Sequence, residues 1–306
     1  MKYLFVFILA FPSLTAQTTK DKTISKLSTH TFDLQGHRGA RGLAPENTLH
    51  AFQKALELGV NTLELDVVVT KDNQIVVSHE PWMNADICLG PDGNSMTKKS
   101  EKDYNIYQMT YEEVLTYDCG SKYNPVFPEQ QLETAYKPLL IEVLHMADSI
   151  SKNHGKKINF NIELKSSSEG DELYHPKPQV FVNLVMDLLQ QETNMTRVNL
   201  QSFDFRILKE LHHSHPEVSL AVLVYEIDLD TALEQLGFVP EIYSPYFPLV
   251  NKSMVETVHS KGMKLIPWTV NEPEQMKSLL KLGVDGLITD YPDRALKFKK
   301  GISNKK

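Results

Sequence analysis

The feature that most constrains the fold is a regular alternation of β-rich runs with amphipathic stretches after residue 30. Runs rich in branched and aromatic residues predict eight strands, at 32–37, 61–67, 158–165, 197–203, 220–225, 241–247, 263–270 and 285–291. The clearest helical patterns lie between them, at 46–59, 177–192, 205–216, 251–262 and 272–283. Strands that alternate with helices form a parallel sheet, so eight such units predict an α/β fold of the TIM-type (β/α)₈ barrel class.

One segment interrupts this alternation directly after the second strand. Residues 67–81 contain two β-branched runs about a polar "KDNQ" turn, which predicts a β-hairpin. A two-residue turn at 72–73 would place His79 opposite Asp66, whereas another loop length would shift this register by one or two residues. Residues 82–145 are longer and more irregular than a usual barrel connection. We interpret them as an insertion before the third strand, over the top of the barrel.

The N-terminal segment is typical of an export signal. Lys2 precedes the apolar run "YLFVFILAF" (3–11), and small residues follow as far as Ala16. The run is shorter than the about 20 apolar residues that a membrane-spanning helix needs. Residues 1–16 are therefore predicted to be a cleaved signal peptide, and the mature protein is expected in the periplasm or outside the cell.

Three further segments follow from composition. Residues 17–30 are polar and predict a flexible arm, residues 31–300 form the barrel domain, and residues 301–306 are a basic tail. Cys88 and Cys119, the two cysteines of the chain, either form one disulfide in an oxidising compartment or remain buried thiols.

Net charge limits the partners. The formal charge of −7 at pH 7 argues against a nucleic-acid binder and against a protein that clings to anionic lipid. No later apolar run is long enough to predict stable membrane insertion. The expected partner is a small molecule, and the sequence does not indicate an oligomeric state.

Acidic residues stand near the ends of two predicted strands. Glu64 and Asp66 are two residues apart, so both side chains point to one face, and Glu163 and Lys165 repeat this spacing. Alone, such a pair is more often a solvated edge or an ion pair. Three acidic groups that converge at a barrel mouth need a counter-charge, and one hard divalent cation, Ca²⁺ or Mg²⁺, supplies it.

The stretch "QGHRGARGLAPENTLHAF" places His37 and Arg38 in a glycine-rich turn after the first strand. A lone loop histidine is usually a surface or satisfied core residue. Here the turn, the E-x-D strand, the hairpin that returns His79 and the E-x-K strand all lie at the same ends of successive strands. This conjunction indicates an active site.

These motifs resemble the glycerophosphodiester phosphodiesterases, in particular bacterial exported members. The matching stretches, in the family's order, are "GHRGARGLAPENTLHAF", "GVNTLELDVVVTKDNQIVVSHEP", "NFNIELK", "LQSFD", "IPWTVN" and "GLITDYP". One departure is visible, because the family's second histidine is usually followed by Asp and here Glu80 follows His79.

The resemblance implies metal-dependent hydrolysis of glycerophosphodiesters, such as glycerophosphocholine or glycerophosphoethanolamine, to sn-glycerol 3-phosphate and an alcohol. The roles that it implies are metal ligation by Glu64, Asp66 and Glu163, acid–base catalysis by His37 and His79, and phosphate binding by Arg38 and Lys165. We assign the base to His37.

Three residues outside this set have alternatives. Trp268 ends a predicted strand and either stacks over the glycerol or fills the barrel mouth. Glu46 and Asn47 are interpreted as helix caps, with Asn47 or Thr48 available as the N-cap. The head-group pocket is expected within residues 82–145.

Two other functions were weighed against the sequence. A related lipid phosphodiesterase, of the sphingomyelinase D or phosphatidylinositol phospholipase C kind, would need an apolar rim for membrane docking, and residues 82–95 offer little of it. A non-catalytic protein that binds glycerophosphoryl ligands would be favoured if a histidine or a metal carboxylate were missing, and none is.

Overall fold

Eight parallel strands follow one another around a barrel in the computed structural model of the chain, which describes residues 32–155 and 157–302. The predicted signal peptide, the arm at 17–30 and residues 303–306 of the tail lie outside the described residues. Within them the strands are β1 (Asp33–Gly36), β2 (Thr62–Val69), β3 (Ile75–Val77), β4 (Asn159–Leu164), β5 (Val198–Ser202), β6 (Ser219–Val224), β7 (Ile242–Pro245), β8 (Lys264–Leu265) and β9 (Gly286–Thr289).

The sheet runs in the order β8-β7-β6-β5-β4-β2-β1-β9, and β3 pairs only with β2. The barrel closes through backbone hydrogen bonds across the remaining gap. Asp285 N donates to Leu265 O (2.9 Å), and Val270 N donates to Ile288 O (2.9 Å). The predicted TIM-type barrel is confirmed, with the β3 hairpin as an addition to it.

Helices follow the strands and cover the outside of the barrel. They are α1 (Leu49–Leu58), α2 (Tyr111–Val114), α3 (Leu140–His154), α4 (Pro178–Glu192), α5 (Phe205–Ser214), α6 (Leu229–Leu236), α7 (Lys252–Ser260), α8 (Pro273–Leu282) and α9 (Pro292–Ile302). No helix in the described part of the chain is long and apolar enough to cross a membrane.

The start of α1 decides between the two candidate N-caps. Thr48, not Asn47, is the N-cap, and its hydroxyl accepts a hydrogen bond from Ala51 N (3.2 Å). Asn47 has a φ of 55° and turns its side chain away from the helix, toward β2. The helix ends at Gly59, whose φ of 89° favours glycine. Phe52 and Ala55 are fully buried between α1 and the barrel.

The hairpin register differs by one residue from the simplest prediction. Val67 pairs with Val77 and Val69 with Ile75, so the loop has one residue more than a two-residue turn. Asn73 closes this loop with a φ of 60°, a conformation that asparagine tolerates. Ser78 therefore lies opposite Asp66, whose carbonyl oxygen accepts its backbone N–H (3.0 Å). His79 is therefore the residue after Ser78 and does not lie directly opposite Asp66.

The insertion is shorter than predicted and has its own core. It ends before residue 145, because α3 begins at Leu140. Met83, Ile106 and Val114 are fully buried in a separate apolar cluster, beside a disulfide between Cys88 and Cys119. The cluster also contains Val68 and Val76, so the insertion is packed on the β2–β3 hairpin and is not a loose loop.

Replacing both cysteines by serine is expected to lower the free energy of unfolding by about 3–4 kcal/mol. The disulfide links residues 31 positions apart. Closing a loop of that length lowers the conformational entropy of the unfolded chain, which destabilises the unfolded state by this amount. Urea denaturation under non-reducing conditions measures the change. Wild-type protein with a reducing agent is the control and should match the variant. An unchanged transition midpoint would contradict the expected stabilisation.

Candidate active site

Three carboxylates meet at the C-terminal end of the barrel strands. Glu64 and Asp66 lie two residues apart on β2, and Glu163 on β4 is directly in register with Asp66. One oxygen from each lies within 4.8 Å of the others, and all three residues are buried. The structure brings together the three residues that the sequence predicted as metal ligands.

The charge balance of this triad favours a cation. Burial, followed by the negative charge of Asp66, raises the pKa of Glu64 well above its usual value. Burial also raises the pKa of Glu163, against the opposing charge of Lys165. Asp66 Oδ1 is buried and has no hydrogen-bond partner among the described residues. Clustered carboxylate oxygens with one oxygen unpaired fit a hard divalent cation such as Ca²⁺ or Mg²⁺.

Neighbouring amides fix the orientation of the triad. Glu64 Oε1 accepts a hydrogen bond from Gln201 Nε2 (2.9 Å), and Asp66 Oδ2 accepts one from Asn47 Nδ2 (2.9 Å). Below them, Asn161 Nδ2 donates to both Gln201 Oε1 (2.9 Å) and Gln35 Oε1 (2.8 Å). These buried bonds hold the oxygens in place, as supporting contacts do around metal ligands in general.

A tight turn after β1 presents His37 and Arg38. Gly39 has a φ of 86°, and a Cβ on it would lie only 2.5 Å from the backbone carbon of Ala51. Only glycine allows the turn to pack this closely on α1. The backbone N–H of Arg38 donates to Glu64 Oε2 (2.9 Å), which ties the turn to the triad.

His37 is held by a carboxylate from the last barrel strand. Its Nδ1 lies 2.6 Å from Asp290 Oδ1, directly after β9, and Arg41 and Asn271 also donate to Asp290. Burial would raise the pKa of Asp290, but the charges of His37 and Arg41 outweigh it and hold that pKa well below its usual value. The ionised carboxylate accepts the Nδ1 proton, which leaves Nε2 as the acceptor, 3.9 Å from Glu64 Oε2.

Burial sets the protonation state of His37. The pKa of the imidazole is lowered from 6.5 to about 4 by burial and by the positive charge of Arg41, against the opposing effect of Asp290. His37 is thus neutral near pH 7 and can accept a proton at Nε2.

His79 is more accessible and is paired with its neighbour in sequence. Its side chain is 30% exposed, and Nδ1 lies 2.8 Å from Glu80 Oε1. Burial raises the pKa of Glu80, but the hydrogen bond with His79 and the charge of Arg38 outweigh it and bring that pKa below its usual value. Glu80, the departure from the family pattern, therefore supplies an ionised carboxylate to Nδ1 and directs Nε2 away from it.

Cationic side chains complete the site. Lys165 Nζ lies 2.7 Å from Glu163 Oε1 and 3.8 Å from Asp66 Oδ1. Arg38 pairs with Glu46 (2.8 Å), and its Nε is buried with no hydrogen-bond partner among the described residues. Glu46, interpreted from sequence as a cap, is instead the partner of Arg38. These two cations stand where the sequence placed the phosphate-binding groups.

The site opens into a cavity of about 210 Å³, the active-site cavity. His37, Arg38, His79 and Glu163 line its polar side. Trp268 lines another part of its wall, and the indole Nε1 donates to Ser244 O (2.8 Å), so the ring is fixed. Both histidines and two of the three clustered carboxylates, Glu64 and Glu163, therefore line one space that can take a small anionic substrate.

A sequence model of the glycerophosphoryl diester phosphodiesterase family matches residues 37–294. The chain belongs to this family. The glycerophosphodiester phosphodiesterase of Bacillus altitudinis is 34% identical over 269 residues, which cover 86% of this chain and 96% of that protein. The protein of the same name from Bacillus subtilis (strain 168) is 28% identical and covers 98% of both chains. The resemblance and the enzyme class predicted from the motifs are confirmed.

Solved structures agree with this phosphodiesterase in fold. A crystal structure from Silicibacter pomeroyi, described under the same family name, superposes with a TM-score of 0.80 at 29% identity and covers 90% of this chain and 95% of its own. An Oleispira antarctica phosphodiesterase, solved in complex with the product sn-glycerol-3-phosphate, gives a TM-score of 0.70 at 21% identity and covers 88% and 96%.

Several functional groups of the phosphodiesterase were missed from sequence. Asp290 lies near the end of the predicted strand at 285–291, so its position at the strand end was a usable signal. Gln201 lies near the end of β5, so its position at a strand end was also a usable signal. Lys137 gave none, since it belongs to the irregular insertion. It is buried, and the structure places its charge near those of Glu80 and Glu46.

Proposed function

We propose that the chain hydrolyses glycerophosphodiesters such as glycerophosphocholine and glycerophosphoethanolamine to sn-glycerol 3-phosphate and an alcohol, with Ca²⁺ or Mg²⁺ as the cofactor. The observation that carries the proposal is that His37 and His79 line one cavity together with Glu64 and Glu163, two members of the buried triad. The product bound to the Oleispira antarctica phosphodiesterase supports the same ligand class.

The positively charged groups of the site bind and neutralise the phosphate. When bound to Glu64, Asp66 and Glu163, a divalent cation neutralises phosphoryl charge as a Lewis acid. Arg38 and Lys165 add fixed donors whose positions are set by their carboxylate partners. Such preorganised charge is usually the largest contribution to catalysis.

His37 acts as the general base. With Nδ1 held by Asp290, its unprotonated Nε2 accepts a proton from the attacking water. The lowered pKa of His37 keeps it in this form at neutral pH. The attacking oxygen then forms a bond to phosphorus as the bond to the leaving alcohol breaks.

His79 acts as the general acid. It donates its Nε2 proton to the leaving alkoxide while Glu80 stabilises the protonated ring through Nδ1. The greater exposure of His79 suits this role, since the leaving alcohol must reach solvent. The complete set of groups argues against a non-catalytic binding protein.

The proposed location is the periplasm or the extracellular space. The N-terminal sequence of residues 1–16 has the pattern of an export signal. The Cys88–Cys119 disulfide supports this location, because disulfides persist mainly in oxidising compartments.

Release of sn-glycerol 3-phosphate from glycerophosphocholine tests the proposal. The assay is run with Ca²⁺, with Mg²⁺ and with a chelator, beside His37→Ala as the control. We expect release with at least one cation, loss with chelator and loss in the variant. No release with either cation would contradict the substrate, and release that survives both chelator and mutation would contradict the site.

A further inference from the structure

A second, larger cavity of about 540 Å³ adjoins the active-site cavity. We call it the lateral cavity; its walls are residues 166–169, 203–206 and 223–227 with Gln235. These three segments are the loops that directly follow β4, β5 and β6, so they lie at the same barrel end as the triad. Both cavities share Phe203 and Leu223 in their walls, and the two spaces are therefore neighbours.

The sizes indicate that a diester needs both spaces. Small-molecule sites typically measure about 300–1,000 Å³. The active-site cavity, at about 210 Å³, falls below this range, whereas the lateral cavity is within it. The glycerophosphoryl half, which must contact the histidines and the cation, fits the former, so the alcohol half extends into the latter.

Aromatic rings form the boundary between the two cavities. Phe203, Tyr225 and Tyr246 directly follow β5, β6 and β7, and Trp268 completes the group. Phe203 and Trp268 meet edge to face at 5.3 Å between centroids, and Tyr225 and Trp268 are stacked at 6.2 Å. Phe203 is 41% exposed and Tyr225 is 51% exposed, so part of each ring is accessible to a ligand.

The lateral cavity is also negatively charged. Its single basic group among the described lining residues is Arg206, which is fully paired with Asp204 (2.7 Å) and Asp171 (2.8 Å). Glu169 and Glu226 have no ion-pair partner among the described residues and are exposed at the cavity wall. A positively charged ligand group in the lateral cavity would therefore contact both aromatic rings and carboxylates.

A third cavity nearby, of about 320 Å³, has the opposite character. Trp82 and Tyr174 line it, but Lys102 Nζ already covers the Trp82 ring at 4.9 Å, and Lys165 adds a second positive charge. The loop from Ser166 to Glu169 borders both this cavity and the lateral one. Because Lys102 already covers the Trp82 ring, the third cavity offers a cationic ligand a less accessible aromatic face than the lateral cavity does.

We propose that the lateral cavity is the alcohol subsite and that it selects alcohols carrying an ammonium group, with Tyr225 and Phe203 contacting the cation and Glu226 and Glu169 balancing its charge. A cation over an aromatic face is attracted by the ring quadrupole, and quaternary ammonium groups are recognised in this way. The inference rests on the proposed function. It places the subsite in the strand-end loops and not within residues 82–145, where the sequence led us to expect it.

Two diesters separate this inference from the proposed function. Glycerophosphocholine carries a cationic alcohol, whereas glycerophosphoglycerol has the same diester with a neutral one. We expect the ratio of their kcat/KM values to exceed about tenfold in the wild type, mostly through KM. Tyr225→Leu should lower this ratio about tenfold and Glu226→Gln about threefold, since an exposed charge contributes less.

Glu57→Gln is the matched control. Glu57 is exposed at the C-terminal end of α1, and hence at the opposite end of the barrel, so its loss should leave the ratio unchanged. Equal kcat/KM values for both diesters in the wild type, or an unchanged ratio in Tyr225→Leu and Glu226→Gln, would overturn the inference alone. Release of sn-glycerol 3-phosphate from neither diester would overturn the proposed function as well.

Discussion

Asp66→Asn is expected to lower kcat/KM at least about 10³-fold at a cation concentration that saturates the wild type. The amide keeps the shape and the hydrogen bond with Asn47, but it removes one negative charge from the centre of the triad. A bound divalent cation contributes several kcal/mol of charge stabilisation, and about 4 kcal/mol corresponds to 10³-fold. Initial rates over a titration of Ca²⁺ or Mg²⁺ measure the loss.

A readout other than activity separates cation binding from chemistry. Binding to the folded state alone raises stability, by about 2.7 kcal/mol at a hundredfold excess over Kd. The wild type should thus show a cation-dependent rise in Tm that Asp66→Asn loses. Asp230→Asn, at a carboxylate that is 86% exposed on α6, is the control and should keep both the activity and the rise. Full activity of Asp66→Asn would show that the triad does not hold the cation.

Asp290→Asn is expected to lower kcat about 10²–10³-fold without loss of the fold. A positioned general base contributes about 10²–10⁴-fold, and the amide no longer fixes the proton of His37 on Nδ1. Arg41 also loses the partner that it contacts at 2.8 Å. Single-turnover rates with glycerophosphocholine measure this effect on the chemical step.

The pH profile tests the same contact. Activity requires neutral His37, so kcat/KM falls as pH falls through its pKa, which the structure lowers from 6.5 to about 4. Asp290 raises that pKa, because its negative charge and hydrogen bond favour the protonated ring. The acid limb of the variant should therefore move to lower pH, measured between about pH 3 and pH 7.

Asp285→Asn provides a matched control for this variant. Asp285 stands just before β9, as Asp290 stands just after it, and it pairs with the surface histidine His259 at 2.8 Å. The asparagine oxygen can still accept the N–H of Leu265, so the barrel closure is retained. An acid limb that shifts equally in both variants would mean that the effect is not specific to His37.

The barrel and the chemistry at its mouth were predictable because both follow from periodicity. The two-residue repeat of a strand places Glu64 and Asp66 on one face, and parallel strands bring Glu163 to the same end. The hairpin was predictable as well, but its register was not. A three-residue loop closed by Asn73 moves every pair by one, and nothing in "KDNQ" alone distinguishes the two loops.

The rest of the site depends on contacts between segments far apart in the chain. Asp290 meets His37 across the closure of the barrel, 253 positions away, and Lys137 reaches Glu80 only because the insertion packs as a unit. Asn47 was interpreted as a cap because its residue type suits that role, yet the neighbouring Thr48 takes it. Long-range pairing of this kind leaves no periodic trace in the sequence.

The pairing of β3 with β2 has a consequence for how this protein could be rebuilt. His79 follows β3, which is hydrogen-bonded to β2, the strand of Glu64 and Asp66. This pairing fixes the position of His79 relative to the barrel. The exposed residues 91–95 can then be shortened or exchanged while the imidazole keeps its place, whereas Met83 and Ile106 are retained because they share a buried cluster with Val68 and Val76 of the hairpin. The hairpin thus allows a new segment to be inserted at this face of the barrel, beside side chains whose positions do not change.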